Sequence, residues 1–540
     1  MLGERRPRAV AADDRSDPPE IAYSAWRDPA AWTIAALAFG AYFTISLFRL
    51  LTLAPSSWDL GIYTEYVKQL SLLRAPIVDV RGPGFNLLGD HFQVGLAVLA
   101  PFFRLYPSPA TLLFFQALLT GLSVFPVMSA ASLLLGRGSA RLIGFAYGFS
   151  WGLQQMIDFD FHEIALAVPL LAFSLSALVR GRVRAAALWA LPLVFVKEDQ
   201  GFTVAAIGAF LVFDGVASAP RSSRLGLGFD PGRGRTRVAW GALLVGWGLF
   251  WSVFAITVII PHFNELHEYY YWKDGGVVGG SHGFSVVGLA RQTATGWPVK
   301  LQTVILLLLP TVFAALGSPI ALLTLPSLLL RFVSTNTAYW GTDWHYNATI
   351  MPILFIAAIE AIARWRARDA QLLRGSDAIP RPAPTPAPTP IPTPATYPIF
   401  RPFTETWAWA RSGLARHGAP MMAAIAVALA FQFPLNGLWH GATYTISPQV
   451  SVDDAAMAVV PDGATVQTTL NMLAPLAART DTFWIGNAGN PLTQYIVFDG
   501  KNSGYSPAPT NVPAFIAALY PTAGYTEIFA RSDVYVFRRR

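Results

Sequence analysis

The sequence predicts an α-helical multipass membrane protein that ends in a small α/β domain, and three observations carry that reading. Hydrophobic residues make up 53% of the chain against 13% charged, with a mean hydropathy of +0.42. Apolar runs able to cross a bilayer, which takes about 20 helical residues with allowance for tilt, recur along most of the chain. From residue 440 onwards those runs thin out, and Asp, Asn, Thr and Gly become frequent.

The runs sit at 31–53, 108–135, 141–157, 164–180, 184–197, 200–216, 238–260, 299–317, 319–333, 347–363 and 419–439, about eleven in all. The stretch 92–105 contains Pro101 and Arg104 and is too short to span, so it is expected to be a surface helix; this choice sets the side of every later connection. Arg5, Arg6, Arg8, Arg15 and Arg27 mark 1–30 as a cytoplasmic tail and argue against a cleavable signal peptide. With that start, the Arg-bearing connections at 136–141, 180–184, 216–237 and 364–418 all fall in the cytoplasm, and only the tight turn 317–319 lacks Arg. The net charge of +7 is therefore a topology signal, and no nucleic-acid partner is expected. Cysteine is absent, which excludes disulfides, thiolate metal sites and a cysteine nucleophile.

These assignments divide the chain into a membrane module at 31–363 with an outer loop at 54–107, a cytoplasmic linker at 364–418, a last span at 419–439 and an extracytoplasmic domain at 440–540. Within the linker, 379–398 alternates proline with other residues, which favours extended polyproline spacing. It reads as a spacer, with a ligand for a proline-binding domain as the alternative. The C-terminal domain has strand-like segments at 465–469, 482–486, 495–499 and 534–539 and helix-like ones at 455–460 and 474–479. It shows no metal or nucleophile signature.

Four polar clusters gather on the outer side: Asp59 in SSWDLGIY, GDHF at 89–92, DFDFHE at 158–163 and KEDQG at 197–201. Behind Asp59, the spacing of Ile62, Tyr63, Tyr66, Val67 and Leu70 predicts a short helix lying on the membrane surface. Ionisable groups at span ends are costly unless paired or wetted, so each cluster is a functional candidate. Each also has a plainer reading. Asp59 can cap its helix, His91 can be a satisfied interfacial histidine, 158–163 a solvated turn, and Lys197, Glu198 and Asp199 a headgroup anchor. Four such clusters on one face point to a shared polar site.

The string D-x-G-x-Y at 59–63, H-F at 91–92, Gln116, D-F-H-E at 160–163 and K-E-D-x-G at 197–201 resembles a bacterial and archaeal multipass family of largely unassigned function. That family is grouped with the GT-C membrane glycosyltransferases. The resemblance covers 54–215 well and extends weakly through 325–352 and 459–479; the tail lacks the histidine expected before Leu476. It implies a GT-C-like module that transfers a sugar, with inversion, from a polyprenyl-phosphate donor to an acceptor hydroxyl on the outer face of the cell membrane. The acceptor would be an envelope glycan, a lipid or a protein.

In that scheme Asp59 is the general base. His91, Asp160, His162, Glu163, Lys197 and Glu198 answer the donor phosphate, either directly or through a divalent Mg, Mn or Ca ion at Asp160, His162 and Glu163. Trp58, Tyr63, Gln116, Asp199, Arg331 and His345 are further candidate substrate contacts. The competing reading is a transporter or flippase, which expects ionisable groups at the midplane and internal repeats, and neither is evident. A scaffold acting through the proline tract would leave the four clusters unexplained.

Overall fold

The computed structural model describes residues 24–217, 231–273, 286–377 and 401–540. The proline-alternating tract and the first 23 residues of the tail lie outside the described residues. Among the described residues, six helices are long and apolar enough to cross a membrane: Pro29–Leu51, Pro109–Leu135, Gln200–Ala217, Gly234–Phe263, His345–Leu372 and Ala410–Ala430. Five more apolar helices among the described residues are shorter: Val94–Leu105, Glu163–Val179, Val183–Phe195, Trp297–Thr311 and Pro319–Val333.

The eleven runs read from hydropathy thus become a mixture of full-length and short helices. The run 141–157 is split, because helix Arg137–Gly148 stops and Trp151–Asp158 begins anew after Phe149 and Ser150. The last run is cut at its end, where the α-helix stops at Ala430 and a 3-10 segment, Pro434–Trp439, follows. Proline at the first position of the 3-10 segment costs it no hydrogen bond, whereas the same α-helix carries Pro420 inside it.

Helix α1 (Pro29–Leu51) starts on Asp28, whose carboxylate accepts from the Ala30 amide at 2.9 Å. It packs into the main core, which is built around Tyr42, Phe125, Tyr147, Trp151 and Phe355. Helices Gln200–Ala217 and Pro231–Phe254 meet along Gly201, Gly208, Gly241 and Gly248, where any Cβ would overlap the facing backbone. Small residues let helix backbones approach in a bilayer, where water exclusion cannot drive association.

Helix α2 (Asp59–Ser71) departs from the surface helix expected: Leu60 through Gln69 are all buried. It lies between Ala100–Leu105, Pro109–Leu122 and the C-terminal helix Leu470–Ala477. Its two buried charged residues are each held by a backbone group, while Thr64 Oγ1 stays without a hydrogen-bond partner. Glu65 accepts from the Val80 amide at 2.9 Å, and Lys68 donates to the Thr480 carbonyl at 2.7 Å. Gly61 permits the docking, since a Cβ there would sit 3.0 Å from Leu473 Cγ.

The C-terminal domain is a five-stranded mixed sheet of order β2-β1-β3-β5-β4. β1 (Thr465–Thr468), β2 (Asp481–Trp484) and β3 (Tyr495–Asp499) are parallel, while β5 (Val534–Arg539) runs antiparallel to β3 and to β4 (Tyr525–Arg531). The sequence reading finds every strand but β4. That strand lies at the sheet edge with no buried residue, so its hydrophobic alternation is faint. The hairpin joining β4 to β5 turns on Ser532 and Asp533, with φ of +47° and +65°, as a two-residue turn of this hand requires.

Candidate functional site

The loop that carries Asp59 is fixed to the 158–163 turn before any ligand is considered. Arg49, in the last turn of α1, pairs with the Asp158 carboxylate. Asp160 accepts from the Ser56 and Ser57 amides at 2.8 and 3.3 Å, with Arg49 Nε 4.0 Å from its other oxygen. Burial raises the Asp160 carboxyl to about 6, against the opposing pull of Arg49 and the two amides. Gln116 clamps the next residues: its amide donates to the Asp160 carbonyl, and its oxygen accepts from the His162 amide at 3.0 Å.

That bracing presents Asp59 and His162 to a cavity of about 280 Å³. Asp59 sits at the first position of α2 and does not cap it; its carboxylate instead accepts from Ser57 Oγ. The Asp59 side chain keeps 22% of its surface exposed, and its Oδ2 lies 3.9 Å from His162 Nε2, a buried nitrogen with no hydrogen-bond partner. The other ring nitrogen of His162 is 3.2 Å from Glu163 Oε2, which also accepts from Tyr63 Oη. Glu163 is fully buried and pairs with Lys197 at 2.9 Å, joining the 158–163 turn to the 197–201 turn. The His162 ring lies against His345 with centroids 3.6 Å apart, and neither His345 nitrogen has a partner.

Beyond Lys197 the partners change. Glu198 takes His91 Nδ1 at 2.7 Å, Tyr269 Oη at 3.0 Å and the Phe92 amide at 3.0 Å. Burial works to raise the Glu198 carboxyl, but His91 and Lys197 outweigh it and hold the group at about 2. Burial and Lys197 work to lower His91, and Glu198 and Asp90 carry it above its ordinary value. Asp90 accepts from Tyr271 Oη at 3.0 Å, and the Tyr271 ring stacks on His91 at 4.6 Å.

Nine of the residues singled out from sequence line this one cavity: Asp59, Tyr63, His91, His162, Lys197, Glu198, Asp199, Arg331 and His345. Trp58, Gln116, Asp160 and Glu163 lie behind its walls. Trp58 turns to the C-terminal domain, edge-on to Trp484 at 5.1 Å, with the Arg81 guanidinium over its ring. Arg331 reaches the wall, but its guanidinium is engaged by the Tyr339 and Gly341 carbonyls at 2.8 and 3.1 Å and by Asn347 Oδ1 at 2.9 Å. It therefore holds the loop that carries His345.

The residue set expected for a divalent ion does not fit one. Asp160 faces Arg49 and the serine amides, away from His162, and Glu163 is neutralised by Lys197. Among the described residues no group of three or more His, Asp or Glu is arranged to hold a metal. The sequence reading missed Gln93, Tyr269, Tyr271, Tyr339 and Tyr346, all in the cavity wall, and held Gln200 only as part of KEDQG. For Tyr269 and Tyr271 the signal available was the Tyr run at 269–271 in a connection otherwise rich in polar residues.

A family model described as a predicted membrane protein, DUF2079, matches residues 49–375, a range that contains every cavity residue named above. Comparison with curated proteins gives no match. Among solved structures, apo ArnT from Cupriavidus metallidurans is 16% identical with a TM-score of 0.46, over 94% of this chain and 97% of that one. The apo oligosaccharyltransferase of Archaeoglobus fulgidus is 11% identical with a TM-score of 0.43, over 95% of this chain and 75% of that one.

Proposed function

The chain belongs to the DUF2079 family of predicted membrane proteins, and we propose that it is a membrane glycosyltransferase of the GT-C kind, moving a sugar from a polyprenyl-phosphate donor to an acceptor hydroxyl. The observation that carries the reading is the cavity wall, where the partly exposed carboxylate of Asp59 stands 3.9 Å from an unpartnered imidazole nitrogen, with Lys197 in the same cavity. A single displacement needs both kinds of group. As the acceptor oxygen attacks the anomeric carbon, its proton passes to Asp59 and the bond from that carbon to the phosphate oxygen breaks. The departing phosphate keeps the electron pair, and fixed donors that meet its charge lower the barrier.

In this scheme His162, His345 and Lys197 supply those donors. Asp160, Gln116 and Glu163 act one step back by fixing them, and Arg331 does the same for His345. The attack comes from the side opposite the leaving phosphate, so the anomeric configuration inverts. The Arg-bearing connections put this cavity on the outer face, with the N-terminus in the cytoplasm and the C-terminal domain outside. Envelope glycan, lipid or protein then serves as acceptor.

Mass-spectrometric comparison of polyprenyl-phosphate sugars and envelope glycans, with and without the protein, names the donor as the species that accumulates in its absence. Asp59→Asn keeps the side-chain shape and loses the proton acceptor, so transfer is expected to fall about a hundredfold or more with expression unchanged. Transfer within a few-fold of wild type would end the role of Asp59 as base.

A further inference from the structure

We propose that the cavity holds a second recognition site, built from Gln93, Asp199 and Gln200, that binds the donor-rich face of a sugar through its hydroxyl or ammonium hydrogens. All three residues line the cavity. Gln93 is 1% exposed and Gln200 is 4% exposed, and the side-chain oxygen of each is buried with no hydrogen-bond partner. Leaving a buried acceptor unsatisfied costs about 1–3 kcal/mol, so two of them in one cavity wall call for a ligand that donates.

The orientation of Gln200 follows from its neighbour. Its amide nitrogen donates to Asp199 Oδ1 at 3.2 Å, which turns the oxygen the other way. Asp199 itself takes part in no ion pair among the described residues, and Gln200 is its one side-chain hydrogen-bond partner there. Nearby Glu198 cannot supply the missing donors, because it only accepts and is already engaged by His91, Tyr269 and the Phe92 amide. The hydroxyls of Tyr269 and Tyr271 are likewise committed, to Glu198 and Asp90.

The cavity is therefore polarised. On the His162 side of Lys197 the unpartnered atoms are imidazole nitrogens, suited to an anion. On the Glu198 side they are oxygens, suited to hydrogen-bond donors. A sugar phosphate has this division, with an anionic end and a face of donor groups. The inference rests on the transfer reading for its ligand, and it specifies the part of the ligand recognised here: hydroxyls, or an ammonium if Asp199 is the main contact.

The test uses the full chain in lipid nanodiscs, with D-glucosamine, D-glucose and inorganic phosphate as probes in saturation-transfer NMR titrations. At least one sugar is expected to bind. Gln93→Leu and Gln200→Leu should each weaken it about tenfold, as expected when a site that hydrogen-bonds a ligand loses an acceptor, with phosphate binding unchanged. Phosphate binding kept in both leucine variants separates a lost acceptor from a lost fold. Asp199→Asn distinguishes the two sources: loss for glucosamine alone assigns an ammonium, equal loss for both assigns hydroxyls. Absence of binding for both sugars, or affinity unmoved in both leucine variants, overturns the inference. Sugar binding without any phosphate binding would instead overturn the transfer reading and leave this site standing.

Discussion

The turns at 158–163 and 197–201 have the same kind of sequence, acids beside a basic residue at the end of an apolar helix, yet they use their side chains in opposite ways. In the first, Asp158 and Asp160 are taken up by Arg49 and by the Ser56 and Ser57 amides, and Glu163 by Lys197 and Tyr63. Only His162 of that turn reaches the cavity with a free polar atom. In the second, Glu198 is satisfied by His91 and Tyr269, while Asp199 and Gln200 face the cavity with acceptors to spare. An acid at a span end therefore braces the fold or meets a ligand according to the donors that neighbouring elements bring to it.

The tie between the two turns is the place where breaking the comparison should cost most. Lys197→Met leaves the fully buried Glu163 without its cation, and we expect a loss of about 3–5 kcal/mol in thermal or denaturant unfolding of the nanodisc-embedded protein. Adding Glu163→Gln should restore much of it, because a neutral pair no longer leaves a charge uncompensated. A single-variant loss under about 1 kcal/mol would mean that solvent reaches the pair and that the turns are not locked together.

The pH dependence separates the turns next. Asp160 is raised to about 6 in the folded state, so the stability it contributes is full below about pH 4 and is lost as pH rises through about 6. Glu198 is held at about 2, so its contribution is present above about pH 4.5 and is lost only as pH falls towards 2. Between pH 4 and 6 the first turn should therefore weaken, by roughly 3 kcal/mol for a shift of about two units, while the second stays nearly constant. Asp160→Asn should remove that share of the decline and leave the part due to Glu65 and Asp453, which burial raises to about 8 and about 7. A decline of the same size in the variant would assign it to another group.

The smallest effect is expected at the rim of the second turn. Tyr271→Phe removes one hydrogen bond to Asp90, which is partly exposed and still has Arg81 at 3.8 Å. The expected loss is about 1 kcal/mol or less, with sugar titrations at Gln93 and Gln200 unchanged. A tenfold fall in sugar affinity would show instead that the Tyr271 strap shapes the acceptor-rich end of the cavity.

Much of this protein is fixed by local sequence. Hydropathy and the Arg clusters give a membrane protein and the order of its helices, because a bilayer demands apolar length whatever the tertiary contacts are. The strands of the C-terminal domain show as alternation wherever one face is buried, and β4 escapes detection because neither of its faces is. The four polar clusters are visible because charge at a span end is costly anywhere. What each cluster does is settled only in three dimensions. Asp160 points away from the cavity because Arg49 and the serine amides come from a different helix and loop, more than a hundred residues earlier. Helix α2 is buried because Leu473, over four hundred residues later, packs against Gly61. Gln93 and Gln200 gain their meaning from donors that are missing around them. Hydrogen-bond satisfaction is a property of the assembled neighbourhood, and no stretch of sequence contains it.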